Sequence, residues 1–217
     1  MDLLIFDLDG TLIDSKMDLA QAVNATRANL GLPPLDLEQV NSYVGNGAPT
    51  LIRKALGPEF SDEEIKKALE YFLEYYRGHL LDHTTLYEGM KECLDQFQAN
   101  GVKMAVLTNK PVRISIEILK GLGVADHFFR VYGGNSFEQK KPDPVGVEAL
   151  IAEAGVPKER TMFVGDSSVD VKTARNAGVK VCGVTYGFQP ETLNDDPPDF
   201  LVDRPDQLAD VVTRNRA

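Results

Sequence analysis

The chain predicts an α/β fold, a parallel sheet with helices on both faces and a small all-helical domain inserted after the first strand. Three observations carry this. Short apolar or β-branched runs alternate with helical patterns of about 10 to 15 residues, the signature of βαβ units. Helical runs close on Gly101, Gly123, Gly155 and Gly178, as helix-terminating glycines do. One contiguous block, residues 15–85, breaks the alternation with helical patterns alone.

The first strand is the continuous apolar run Leu3-Leu4-Ile5-Phe6, fit for burial on both sides. It stops at Asp7-Leu8-Asp9-Gly10-Thr11. In the inserted block, Lys16 to Leu30 carries apolar or small positions at Leu19, Val23, Thr26 and Leu30. Ser61-Asp62-Glu63-Glu64 is a helix start with Ser61 as N-cap and Glu64 three residues on. The helix it opens presents Ile65, Leu69, Phe72, Leu73 and Tyr76 on one side. After the block, strands are expected at Val102 to Leu107, Phe128 to Tyr132, Thr161 to Val164 and Val179 to Val184. Helices are expected at Met90 to Asn100, Val112 to Leu122, Pro144 to Ala154, Ser168 to Ala177 and Pro205 to Arg214. The domains are then a core of residues 1–14 and 86–217 and a cap of residues 15–85. Asp195-Asp196-Pro197-Pro198-Asp199 reads as an acidic, proline-stiffened surface loop.

Of the 217 residues 43% are hydrophobic and 26% charged, a composition ordinary for a soluble globular protein. The formal net charge of -10 argues against nucleic-acid or anionic-membrane partners, both polyanions. A small anionic substrate fits only where a cation and lysine override the global sign. Two cysteines give no disulfide framework and suit a reducing compartment. The Met1-Asp2 start lacks the basic region of a signal peptide, and no run approaches the roughly 20 apolar residues of a membrane span. The expectation is a cytoplasmic monomer or homodimer.

Polar clusters follow each of four expected strands. Asp7 and Asp9, two residues apart, emerge together at the C-terminal end of the first, the edge where ligands sit in open parallel sheets. Like charges held this close call for a cation or a proton. Thr108-Asn109-Lys110 follows the second strand, Lys140-Lys141-Pro142 the third, and Gly165-Asp166-Ser167-Ser168-Val169-Asp170 the fourth. Taken alone, Thr108-Asn109 before a proline reads as a helix cap, Lys140-Lys141-Pro142 as a solvated loop and Gly165-Asp166-Ser167 as a cap as readily as a site. The coincidence of four clusters at one edge points to phosphoryl transfer. Asp7 would be a carboxylate nucleophile, and Asp9 the acid that protonates the leaving alkoxide and the base that activates water. Asp166 would join Asp7 at a divalent cation, and all-oxygen ligation indicates Mg2+. Thr108 hydroxyl and the Asn109 N–H would take phosphoryl oxygens, and Lys141 would spread positive charge over them. Asp170, one turn past Asp166, would orient metal-bound water or Lys141, or be an exposed helix acid.

These four motifs, in this order and over nearly the whole chain, resemble the haloacid dehalogenase-like superfamily of phosphohydrolases. The resemblance implies a Rossmann-like core, a mobile cap, magnesium held by Asp7, the Asp9 main-chain carbonyl and Asp166, and an aspartyl-phosphate intermediate on Asp7. It assigns Lys141 to the phosphoryl group, although Lys140 is adjacent. A second aspartate at position 9 favours a phosphatase or phosphomutase over a dehalogenase.

Tyr43-Val44-Gly45-Asn46-Gly47-Ala48, Leu51-Ile52-Arg53-Lys54-Ala55-Leu56 and Thr185-Tyr186-Gly187-Phe188 are similar to bacterial phosphoglycolate phosphatases. That likeness implies a small phosphorylated metabolite, 2-phosphoglycolate, as substrate. Gly45, Asn46 and Gly47 would bring main-chain N–H groups to its carboxylate, or form a plain helix–helix turn. Arg53 would reach the same carboxylate or solvate the cap surface. The alternatives are a pyrophosphatase, a broad sugar or nucleotide phosphatase, a β-phosphoglucomutase-like phosphomutase, and a non-catalytic binding module. Hinges are expected near Asp14-Ser15 and Thr85-Leu86-Tyr87.

Overall fold

The structure is a computed structural model, and it describes residues 1–214; the last three residues of the expected core, 215–217, lie outside the described residues. The chain divides into two compact units, Met1–Asp14 with Leu86–Ala217, and Ser15–Thr85.

The first unit holds a parallel sheet built from β1 (Leu3–Phe6), β4 (Lys103–Leu107), β5 (Arg130–Tyr132), β6 (Thr161–Gly165), β7 (Lys180–Val184) and β8 (Phe200–Val202). Two-residue strands β2 (Ile13–Asp14) and β3 (Thr85–Leu86) mark where the chain passes between the units. The strand order is β5-β4-β1-β6-β7-β8, every pairing parallel. β8 lies outside the sequence expectation. It is three residues long and follows the acidic proline loop, too short for a periodic pattern to stand out. The weak run from Phe128 is strand only from Arg130; Phe128 itself packs edge-on against Phe6, ring centroids 6.3 Å apart.

Helices α5 (Met90–Ala99), α6 (Val112–Gly121), α7 (Val145–Ala154), α8 (Ser168–Ala177) and α9 (Asp206–Arg214) cover both faces of the sheet. Side chains alternate along a strand, so Leu3 and Ile5 of β1 join Val147 and Leu150 of α7 and Val171 and Ala174 of α8 in one buried cluster. Leu4 and Phe6 point to the other face, and all four are fully buried. α7 and α8 end on Gly155 and Gly178 in the left-handed conformation, which glycine adopts without a Cβ penalty.

β1 sits between β4 and β6, with Phe6 opposite Val106 and Val164. The chain builds outward from β1 to β5, then restarts on its other side at β6. That reversal opens a crevice beyond the carboxyl ends of β1, β4 and β6.

The second unit comprises α1 (Lys16–Asn29), α2 (Leu37–Asn41), α3 (Ala48–Leu56) and α4 (Asp62–Gly78). Ser61 and Glu64 form a capping box: Ser61 N–H donates to Glu64 Oε2 at 2.8 Å and Glu64 N–H to Ser61 Oγ at 3.4 Å. α4 buries Ile65, Ala68, Phe72 and Tyr76, leaving Leu69 and Leu73 half-buried; on α1, Leu30 is exposed. Two buried charges tie this unit together. The Arg27 guanidinium donates to the carbonyls of Pro33 and Ala55. Asp18 accepts from His83 N–H (3.1 Å), Thr84 N–H (2.8 Å) and Thr84 Oγ1 (2.6 Å).

Candidate active site

Every core residue expected at the site lies just beyond the carboxyl end of β1, β4 or β6, in the loop before α7, or, for Asp170, in the first turn of α8. The reason is register. Asp7 continues β1, its N–H donating to Val164 carbonyl at 2.9 Å, while Thr108 continues β4 with its N–H on Tyr132 carbonyl at 3.0 Å. Asp166 follows β6 directly.

Asp7, Asp166 and Asp170 bring one carboxylate oxygen each to within 4.8 Å of one another, all buried. Lys141 is the cation of this cluster. Its Nζ lies 2.8 Å from Asp7 Oδ1 and 2.7 Å from Asp170 Oδ1. Of the adjacent lysines, Lys141 is 4% exposed and lies in the cluster, whereas Lys140 is exposed. The Lys141–Pro142 peptide is cis. Asn109 Nδ2 donates to Lys141 carbonyl at 3.2 Å, holding the lysine's loop against β4. Thr108 Oγ1 accepts from Lys110 N–H at 3.3 Å.

Asp170 is fully buried, not an exposed helix acid. Besides Lys141 it accepts from Ser167 N–H (3.1 Å) and Ser167 Oγ (2.8 Å), closing a capping box at the start of α8. Asp166 makes no ion pair among the described residues. It accepts from Phe188 N–H at 2.7 Å and Gln189 N–H at 3.3 Å, with Thr11 Oγ1 at 3.5 Å. Two glycines make this fit possible. A Cβ on Gly10, whose φ is +81°, would lie 2.3 Å from Asp166 Oδ2, and one on Gly187 would lie 2.2 Å from Asp166 Cβ. Gly187 belongs to the stretch singled out in the sequence, and its local role is to admit Asp166.

Electrostatically the cluster is short of positive charge: three buried carboxylates face one ammonium. Burial pushes the Asp7 carboxyl above its ordinary range, Lys141 pulls it back and Asp170 pushes it up again. Asp166 is raised further, by burial first and then by Asp170 and Asp7. Burial by itself would lower Lys141, but Asp170 and Asp7 outweigh it and hold the ammonium above the usual lysine range. An all-oxygen set with two uncompensated negative charges suits a hard divalent cation. The residues present therefore fit a metal.

Asp7 and Asp9 do not share a partner, although strand periodicity puts them on one side. β1 ends at Phe6 and the chain turns, with Thr11 and Leu12 N–H donating to Leu8 carbonyl. Asp9 thereby meets a lysine of its own: Lys110 Nζ lies 2.9 Å from its Oδ1 and 3.1 Å from its Oδ2. Lys110 was not among the sequence candidates. The available signal was its place directly after Thr108-Asn109 at a strand end that already carried chemistry.

Gly45, Asn46 and Gly47 lead into α3 in the helical unit, with φ of 107° and 85° at the two glycines. Arg53 of α3 ion-pairs with Asp62 at the start of α4, both side chains well exposed.

The parallel sheet thus brings Asp7, Asp166, Asp170 and the buried Lys141 together at the edge where open α/β sheets bind ligands. The profile of the haloacid dehalogenase-like hydrolases matches residues 4–184, and the chain belongs to that family. A phosphoglycolate phosphatase of Vibrio vulnificus (strain YJ016) is 41% identical over 219 aligned positions, covering 97% of this chain and 95% of the relative. One from Pseudomonas fluorescens (strain Pf0-1) is 40% identical, covering 93% of this chain and 76% of the relative. The crystal structure of a "predicted phosphoglycolate phosphatase" from Haemophilus somnus 129PT superposes with a TM-score of 0.91 at 32% identity, covering 97% of each chain. A β-phosphoglucomutase from Clostridium difficile shares the fold, TM-score 0.82 at 21% identity.

Proposed function

We propose that the protein is a cytoplasmic, magnesium-dependent phosphatase that hydrolyses 2-phosphoglycolate to glycolate and phosphate through an aspartyl-phosphate on Asp7. The observation that carries the reading is the division of charge at the sheet edge. Asp7 belongs to a cluster of three buried carboxylates with Lys141, whereas Asp9 stands apart with Lys110. One carboxylate is thereby set up beside positive charge as a nucleophile, and a second, the Asp9 side chain, lies outside that carboxylate cluster, where it can move protons. The similarity to phosphoglycolate phosphatases over nearly the full chain supplies the substrate.

In this mechanism an Asp7 carboxylate oxygen attacks phosphorus, the bond from phosphorus to the ester oxygen breaks, and Asp9 gives that oxygen a proton. Asp9 then takes a proton from water as the water oxygen attacks the same phosphorus, releasing phosphate and restoring Asp7. Thr108 hydroxyl and the Asn109 N–H take phosphoryl oxygens, and Lys141 balances the charge spread over them. Asp170 orients Lys141. Asp7, the Asp9 main-chain carbonyl and Asp166 would hold magnesium, which would supply the positive charge that lets a carboxylate approach a dianionic phosphate.

In this reading residues 15–85 are the cap, with hinges near Asp14-Ser15 and Thr85-Leu86-Tyr87. The test is phosphate release with Mg2+ from a panel of 2-phosphoglycolate, pyrophosphate and hexose phosphates. The highest kcat/KM is expected for 2-phosphoglycolate. Preference for another ester overturns the substrate, and conversion of a hexose monophosphate to its isomer overturns hydrolysis.

A further inference from the structure

We infer that Lys110 is the residue that recognises the substrate's carboxylate, and so sets the preference for an acidic leaving group; this rests on the function proposed above. The argument starts from which side of the phosphorus each lysine serves. In-line displacement puts the attacking and leaving oxygens on opposite sides of phosphorus. Lys141 is bound to the attacking side, 2.8 Å from Asp7 Oδ1 and 2.7 Å from Asp170 Oδ1. Lys110 pairs with Asp9 instead. It donates to both oxygens of Asp9, at 2.9 and 3.1 Å, and Asp9 is the group that meets the leaving oxygen.

A cation in contact with the acid is thus within two hydrogen-bond lengths, on the order of 6 Å, of the leaving oxygen. In 2-phosphoglycolate the carboxylate carbon is two bonds from that same oxygen. The second anionic group of the substrate therefore arrives beside the ammonium that Asp9 already holds. The lysine stem is buried, with the side chain 5% exposed, so the ammonium is fixed in place before substrate arrives and meets the carboxylate where water screens little. The chain's net charge of -10 gives a trianionic substrate no general attraction. A dedicated cation on the leaving side offsets that repulsion where it is felt. A phosphate ester with an uncharged leaving group gains nothing from this contact.

The experiment compares kcat/KM for 2-phosphoglycolate with that for ethyl phosphate, which has a methyl group where the carboxylate would be. Both are measured with Mg2+ in the wild-type enzyme and in Lys110→Met, Lys110→Gln and Lys110→Arg. Loss of support for Asp9 lowers turnover of both esters alike, so the ratio of the two isolates recognition. A charged hydrogen bond lost from the substrate alone predicts a fall in that ratio of about tenfold or more in both neutral variants, carried mainly by KM for 2-phosphoglycolate. Lys110→Arg, which keeps the charge, is expected to recover part of it. A ratio unchanged in a folded Met or Gln variant overturns the inference and leaves the substrate standing. A wild-type enzyme that does not prefer 2-phosphoglycolate over ethyl phosphate overturns both.

Discussion

Each unit of this molecule buries carboxylates, and it does so for opposite ends. In the helical unit Asp18 is fully buried and accepts three hydrogen bonds from neutral donors, His83 N–H, Thr84 N–H and Thr84 Oγ1. In the sheet unit Asp7, Asp166 and Asp170 are also buried, but they face one another within 4.8 Å and share a single ammonium. Burial of an acid is thus no mark of function by itself. A carboxylate surrounded by backbone donors joins one segment of chain to another. Carboxylates pressed together store an electrostatic cost that only a proton, a cation or a substrate relieves.

Removing the charge separates the two kinds most sharply. Asp7→Asn takes away the nucleophile without changing the side chain's size, and turnover is expected to fall on the order of 10⁴-fold or more. Phosphate release from 2-phosphoglycolate reads the loss, and circular dichroism and the melting temperature read the retained fold. Substantial activity in Asp7→Asn overturns the covalent route. The matching change in the other unit works through stability. Asp18→Ala leaves the Thr84 and His83 donors buried without their acceptor, at an expected cost of about 3 kcal/mol. Urea unfolding measures it. A change below about 0.5 kcal/mol would mean that those donors find water, and that Asp18 is not the tie between α1 and the exit segment.

Most of this contrast is legible in the sequence, and what is not has a physical reason. Strands β1, β4, β6 and β7 stand where continuous apolar runs place them, because strands buried on both faces must be apolar throughout. β8 escapes because three edge residues carry no period. At the site the motif ends name Asp7, Asp166 and Asp170, since a parallel sheet delivers its strand ends to one edge whatever lies between. The pairing of charges is not legible. Asp7 and Asp9 are two residues apart and Lys140 and Lys141 adjacent, yet the turn after Phe6 sends Asp9 to Lys110, and only Lys141 enters the cluster. Asp18 reads as one more acid in the first turn of a helix; its partners lie 65 and 66 residues away, beyond the reach of any local pattern.

The smallest effect tests what the crowding in the sheet unit costs. Asp166 and Asp7 are both raised, by burial before any neighbour, from an ordinary value of 3.8. The folded chain then keeps protons that the unfolded chain releases, so stability falls as pH rises from about 4 through the raised folded values. A bound cation reverses the trend, because it binds the deprotonated cluster and has to displace those protons. Magnesium at ten times its dissociation constant is expected to stabilise the protein by about 1.4 kcal/mol. At one fixed Mg2+ concentration the gain should be larger at about pH 8 than at about pH 5, where protons compete for the same oxygens and weaken binding. Thermal melts with and without Mg2+ at the two pH values read both trends. Asp166→Asn should abolish the Mg2+-dependent gain and raise the melting temperature of the metal-free protein at the higher pH, because it removes a buried charge that no residue neutralises. A magnesium gain that survives in Asp166→Asn would place the cation elsewhere. A metal-free protein equally stable at both pH values would mean that the sheet unit bears no more cost for its acids than Asp18 imposes on the helices.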